Sequence, residues 1–207
     1  MPRSAARRPV VKAAPRSGRV TRKTRETDVE LALRLAPGPS AIRTGLPFFD
    51  HMLEQLAKHG GMALRVQAKG DLEVDAHHTV EDVGIALGQA LRQALADKTG
   101  LARYGHAVVP LDEALVEAVV DCSGRPHLTL NAHLPSGKKF IGAYDVDLTQ
   151  DFFQALVNHA ALTLHLNVRY GRNLHHVVEA MFKATARALK AALRVEGGGL
   201  PSTKGAL

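Results

Sequence analysis

A chain of 207 residues, 45% apolar and with a mean hydropathy near zero, can bury a real core as one domain or two small ones. It has no run of about 18 apolar residues and no apolar N-terminal stretch of the kind a secretory signal needs. Both features argue against a membrane-spanning or secreted protein and toward a cytoplasmic one. The net charge of +7 is unevenly placed, because residues 1–25 hold nine Lys and Arg and no acid, leaving 18 basic against 20 acidic residues elsewhere, a net −2.

The basicity therefore belongs to a leader, residues 1–20, whose Pro-containing, apolar-poor composition predicts a disordered extension. A solvated tail is the expected role, with a polyanion-binding arm or an organelle address as alternatives. After it, "TRETDVELALRL" from Thr24 alternates polar and apolar residues as a half-buried strand does, and "APGPS" is a turn. "FFDHMLEQLAKHG" spaces Phe49, Met52, Leu53 and Leu56 at helical intervals and stops at Gly60-Gly61. "ALRVQAKGDLEV" reads as a strand, and "HHTVEDVGIALGQALRQALADKTG" as a long amphipathic helix. The remainder repeats the scheme. "HAVVPLDEALVEAVVDCS", "RPHLTLNAHL" and "KKFIGAYDVD" are strand-like, "QDFFQALVNHAA" helical, "LTLHLNVRY" a strand, and "HHVVEAMFKATARALKAAL" a closing helix. Cys122, the only cysteine, ends an apolar run, and packing is the expected role for it rather than nucleophilic chemistry.

The two parts can be superposed as sequences. A shift of 98 places 77–95 on 175–193 and matches both His, Val80 with Val178, and Glu81 with Glu179, while a shift of 100 pairs His59 with His159 and Leu64 with Leu164. Alanine and leucine matches come cheaply in helices, but His-His-x-Val-Glu does not. The expected architecture is α+β, an internal duplication of a two-layer half-domain with helices on one face of a sheet. Half-domains 21–100 and 101–207 are expected to form one compact unit.

On a helix, His77 and Glu81 are four apart and His78 and Glu81 three apart, so both rings can lie near the carboxylate. The adjacent rings diverge by about 100°, a poor arrangement for chelating one ion and a better one for serving two. His175, His176 and Glu179 repeat it. Imidazole and carboxylate without thiolate suit Mn, Fe, Zn or Co. A helical histidine is ordinarily a surface residue, yet both copies keep both His and the Glu, which favours ligation. His51, preceded by an Asp able to orient its ring, is a further candidate ligand, and its repeat partner Asp151 is either a hard ligand or a helix cap. His59 and His159 lie by helix ends, where carbonyl capping competes with function. His106, His127, His133 and His165, in strand-like segments, are read as structural. Basic and hydroxyl groups near turns (Arg103, Arg125, Lys183, Ser202, Thr203 and Lys204) suggest, beside a metal site, a small phosphorylated ligand.

The ordered motifs "FFDHMLEQLAKHGG", "GDLEVDAHHTVEDVGIALGQAL", "RYG", "PLDEAL", "DCSGRP", "TLHL", "HHVVEAMFKATARAL" and "LPSTKG" resemble the imidazoleglycerol-phosphate dehydratase family of histidine biosynthesis, from about Arg22 to Leu207. The resemblance implies a ribosomal-protein-S5-domain-2-like duplicated fold and a homo-oligomer of 24 subunits with manganese at subunit contacts, two Mn2+ per active site. It implies loss of water from D-erythro-imidazoleglycerol phosphate to give imidazoleacetol phosphate. Carried over, the metal ligands are His51, His77, His78, Glu81, His175, His176 and Glu179, with Asp151 where the family often has His. Glu26 is offered as the base and Gln55 as a substrate contact, and Arg103, Arg125, Lys183, Ser202, Thr203 and Lys204 as holding hydroxyls and phosphate. The proton lost sits beside a ring with no carbonyl to take up charge. The ring must be the electron sink, and metals on both its nitrogens would make it an imidazolate that expels hydroxide through a diazafulvene-like intermediate. A dinuclear metal hydrolase of a small phosphorylated substrate is the rival enzyme, and a nucleic-acid-binding assembly using the basic arm the non-enzymatic one. No nucleic-acid or membrane partner is expected.

Overall fold

The computed structural model describes residues 15–134, 137 and 139–205. In chain order the elements are β1 (Ser17–Lys23), β2 (Thr27–Arg34), β3 (Ala41–Arg43), α1 (Pro47–Gly60), β4 (Ala63–Gly70), α2 (His77–Leu95), β5 (Tyr104–Leu111), β6 (Ala114–Asp121), β7 (His127–Asn131), β8 (Phe140–Ile141), β9 (Tyr144–Asp145), α3 (Leu148–Ala160), β10 (Thr163–Tyr170) and α4 (Leu174–Ala192).

The duplication is explicit in the sheets. One has the order β1-β2-β4-β3 and the other β5-β6-β10-β7, each with two antiparallel pairings followed by one parallel pairing. The parallel pair β3/β4 is joined through α1 and β7/β10 through α3, because parallel neighbours need a crossover. The hairpin β8/β9 has no counterpart in the first half. The alternation in β2 and β6 turns Val29, Leu31 and Leu33, and Val116, Ala118 and Val120, into the core, leaving the opposite sheet faces toward solvent.

Each sheet carries its helices on the inner face, where they meet those of the other half, α1 against α4 and α2 against α3. This explains why α2 and α4 bury 13 residues each: they face a sheet on one side and a helix on the other. Pro47 opens α1 at a position where its missing N–H is not needed, and Gly61 ends it in a left-handed conformation at φ 66°. Glycine also sets the helix–sheet spacing. A Cβ on Gly18 of β1 would lie 2.0 Å from the Ala90 carbonyl oxygen of α2, and one on Gly105 of β5 1.9 Å from that of Ala188 in α4.

Facing helices run in the same direction. Phe48 stacks edge-on to His175 at the start of the α1/α4 pair, and Gly61 lies by Lys190 at its end. His77 meets Asp151 and Gly88 meets Leu156 along the α2/α3 pair. Phe49 against Phe152 joins the first turns of α1 and α3, so all four N-termini gather at one end of the molecule.

Two sequence expectations need correction. Strand β1 begins at Ser17, inside the supposed 1–20 extension: "SGRVTRK" pairs along its length with β2, Val20 is buried, and the Arg16 guanidinium donates to the Leu95 and Thr99 carbonyls. Residues 1–14 lie outside the described residues. Strand β3 was not expected, since three residues give no readable alternation. No described helix is long and apolar enough to cross a membrane.

Candidate active site

The N-terminal turns of the helix pairs assemble two related groups. In the first, His175 Nε2 and His51 Nε2 converge on Glu179 Oε2 at 3.0 and 3.6 Å. One ligand atom from each of the three lies within 4.8 Å of the others. His175 and Glu179 share a face of α4 through their i,i+4 spacing, and α1 supplies His51 across the helix interface. In the second group, His77 of α2 lies 4.0 Å from Glu81 and its Nδ1 lies 3.5 Å from Asp151 of α3. Asp151 faces a histidine ring across the helix pair, as His51 does, but on the nitrogen turned away from Glu81, so the second set does not converge on one point. α3 has no side-chain cap bond, so Asp151 does not cap it.

The second histidine of each pair turns away, so the expectation that both rings approach the Glu holds only for His77 and His175. The rings of His77 and His78 are 6.0 Å apart at 82°, and those of His175 and His176 are 6.1 Å apart at 84°. Asp71 takes His78 Nδ1 at 3.1 Å, leaving Nε2 toward Glu26 at 4.0 Å. Glu113 takes His176 Nδ1 at 2.8 Å, leaving Nε2 toward Asp112 at 3.8 Å. Pinning Nδ1–H to a carboxylate fixes the tautomer and leaves the Nε2 lone pair outward, as metal-binding imidazoles require. The Asn173 amide supports that tautomer: its Oδ1 caps α4 by accepting from His175 N–H, which directs its NH2 to His176 Nε2.

The electrostatics agree with this geometry. The hydrogen bond from His176, then the Asn173 N–H, hold the Glu113 carboxyl down at about 2. The Asp71 hydrogen bond raises the pKa of His78. Burial pushes the Glu179 pKa up, but Lys183 at 2.6 Å and His175 outweigh it and the net direction is down. Gln55 sits between two rings, its amide nitrogen 3.5 Å from His51 Nε2 and its oxygen 3.1 Å from His59 Nε2. His59 therefore bonds a side chain rather than capping a carbonyl, whereas His159 does bond its own helix at the Ala155 oxygen. Asp50 does not orient His51. It accepts from the Thr44 N–H and hydroxyl, stapling the entry to α1.

Sequence reasoning missed Asp71, Asp112 and Glu113. The available signal was positional, since "RETD" and "LDEA" fill equivalent hairpin turns of the two halves and each places an acid beside a second histidine.

The proposed anion-binding residues divide. Lys183 belongs to the first ligand group. Arg103, Arg125 and the tail 202–204 lie at the opposite end: the Arg103 N–H donates to the Ala192 carbonyl at the α4 C-terminus, 17 residues from His175, or about 25 Å along the helix. There Arg103 grips Asp121 with Nε and Nη2 and donates through Nη1 to the Pro201 carbonyl, 2.8 Å away. Arg125 is largely exposed and 4.0 Å from Asp121. The described residues thus gather the ligand candidates and Lys183 at one end and leave the other anion candidates at the far end.

Nitrogen and carboxylate donors without a thiolate, converging at His51, His175 and Glu179 with further histidines and acids beside them, fit a borderline divalent ion and not a closed tetrahedral thiolate site.

Comparison with known proteins points to one family. The imidazoleglycerol-phosphate dehydratase family pattern matches residues 44–189. An imidazoleglycerol-phosphate dehydratase of Anaeromyxobacter dehalogenans is 76% identical over 205 residues, covering 99% of each chain. The crystal structure of the Staphylococcus aureus enzyme superposes with a TM-score of 0.79 at 40% identity, over 86% of this chain and 99% of its own. That of Pyrococcus furiosus gives 0.80 at 36% identity, over 91% and 100%.

Proposed function

The chain belongs to the imidazoleglycerol-phosphate dehydratase family and performs the dehydration step of histidine biosynthesis, and from that premise we propose that its helix N-termini bind manganese at the reacting imidazole ring. The observation that carries the proposal is the convergent His51/His175/Glu179 group, with the less convergent His77, Glu81 and Asp151 at the same end and His78 and His176 presenting Nε2 outward beside them. Two sets of candidate ligands suit a substrate ring with two nitrogens. When bound, the ions withdraw electron density from the ring, which supplies the sink that a carbonyl supplies in other eliminations.

The remaining roles fall to the chain itself. Glu26, half exposed on the β1–β2 turn and 4.0 Å from His78 Nε2, takes the proton from the carbon beside the ring. Gln55, held between His51 and His59, directs an amide to the substrate at the first group. Lys183 neutralises the second oxygen of Glu179 and offers its remaining N–H donors to a hydroxyl. Arg103, Arg125, Ser202, Thr203 and Lys204 hold the phosphate. Because they lie about 25 Å from His175 in the same chain, far more than a small phosphorylated imidazole spans, a neighbouring copy must bring its anion end to this copy's metal end. Such a head-to-tail contact closes into a symmetric assembly, and we take it to be the 24-subunit one. A dinuclear hydrolase is not favoured, since the family's reaction is a dehydration.

The test is activity against metal content. Protein stripped by chelator should lose formation of imidazoleacetol phosphate and regain it with Mn2+, with about two ions bound per chain. Full turnover by metal-free protein would refute the proposal.

A further inference from the structure

Lys98 is the only lysine or arginine buried among the described residues, at 8% exposure. Its ammonium makes no hydrogen bond or ion pair with any described residue. The nearest acid, Asp121, is already engaged by Arg103 through both oxygens. Nor is the ammonium sealed, since the one side-chain polar atom both sealed and unpartnered among the described residues is Thr79 Oγ1. It therefore keeps some contact with solvent while the rest of the side chain is buried. A largely buried cation with no hydrogen-bonded partner costs stability relative to an apolar side chain.

Its surroundings point to what offsets that cost. Lys98 sits on the turn after α2 with φ at 60°, followed by Gly100 at 74° and Arg103 at 71°, while Ala96 before it has φ 48°. Three non-glycine residues in left-handed or neighbouring regions within eight positions mark a strained loop. The C-terminal segment clamps it, with Gly100 N–H on the Gly199 carbonyl, Glu196 N–H on that of Gly100, and Arg103 on that of Pro201. The same segment carries Ser202, Thr203 and Lys204. Arg103 has three N–H groups committed to protein acceptors, and its charge is matched by Asp121. Arg125, Lys204 and Lys98 are therefore, with Arg16 on the Leu95 and Thr99 carbonyls and Arg92, among the basic groups at this end not held by Asp121 through two oxygens. Burial lowers the pKa of Lys98, with Arg92 and Arg103 adding to it and Cys122 and Asp121 opposing it.

We propose that Lys98 is a positioning residue for the substrate phosphate: a cation near Arg103 and Asp121 with no hydrogen-bonded counter-ion among the described residues, complemented by the phosphate held by Arg125 and the Ser202–Lys204 tail. The inference rests on the phosphate-holding role proposed above for that end.

The assembled enzyme carrying Lys98→Met tests it. The Michaelis constant and the inhibition constant of inorganic phosphate should each rise about tenfold, one charge acting from behind the direct contacts. Turnover should stay within about twofold. Inhibition by imidazole, which carries no phosphate, should not change. The variant should also melt above the parent, because the unpaired ammonium is gone. Unchanged phosphate inhibition, or a variant that melts below the parent or does not fold, would make Lys98 a structural residue and overturn the proposal. Arg125→Ala and Lys204→Ala separate the two readings. If they weaken phosphate binding and Lys98→Met does not, only the role of Lys98 fails. If they too leave it unchanged, the phosphate site itself is elsewhere.

Discussion

Replacing Glu113 by Gln and by Ala should damage the protein in opposite ways. One Glu113 oxygen accepts the backbone N–H groups of Arg172 and Asn173 at 3.2 and 2.7 Å, fixing the loop that enters α4. The other accepts His176 Nδ1–H at 2.8 Å. In Glu113→Gln the two backbone donors require the amide oxygen, so the NH2 must face His176 Nδ1. The imidazole then carries its proton on Nε2, the atom needed for metal. The loop stays and the tautomer inverts. In Glu113→Ala both sets of bonds go. His176 becomes free to sample either tautomer, but the loop loses its anchor, at about 1–2 kcal/mol of stability. Outer-shell substitutions of this kind weaken metal binding about 10–100-fold. We expect the Gln variant at the upper end with near-parental melting, and the Ala variant at the lower end with reduced melting. Manganese titration of stripped protein, followed by metal content and thermal melting, reads both. Parental metal affinity in the Gln variant, or weaker binding in Ala than in Gln, would refute the tautomer argument.

Gly105→Ala places a Cβ 1.9 Å from the Ala188 oxygen and 2.7 Å from the Ala192 nitrogen, both backbone, so β5 and α4 must part. We expect a loss of about 1–3 kcal/mol in denaturant unfolding, and an unaltered midpoint would show that the interface yields freely. Deleting residues 1–20 removes the buried Val20 and the Arg16 bonds to the end of α2 along with most of β1. The truncated protein should melt well below the parent, and equal melting would mean that the first sheet does not need its edge strand.

The helices and inner strands were legible because each has a strong period and clear stops. α1 runs from Pro47 to the Gly60-Gly61 pair, and β2 alternates Val29, Leu31 and Leu33 inward. β1 was obscured by its own composition: five of its seven residues are Ser, Gly, Arg or Lys, and only Val20 is fully buried, so local pattern could not separate it from the basic leader. Pairing with β2 decides it, and pairing is not local. Duplication made the candidate ligand residues stand out, since a helix spacing retained twice is hard to explain by packing.

Their division was not legible. Spacing along one helix places His77 and His78 equally near Glu81, and only the carboxylates from elsewhere in the chain, Asp71 for His78 and Glu113 for His176, draw the second ring away. The same limit explains the anion residues. As sequence, Lys183 and Arg103 are equivalent basic groups near a metal motif. In the fold one sits on Glu179 and the other at the far end of α4. On the proposed roles, a site built from both is complete only where two copies meet. Metal binding and phosphate binding are then properties of opposite ends of one chain and turnover a property of the assembly, so dilution should remove turnover while His51, His175 and Glu179 remain together.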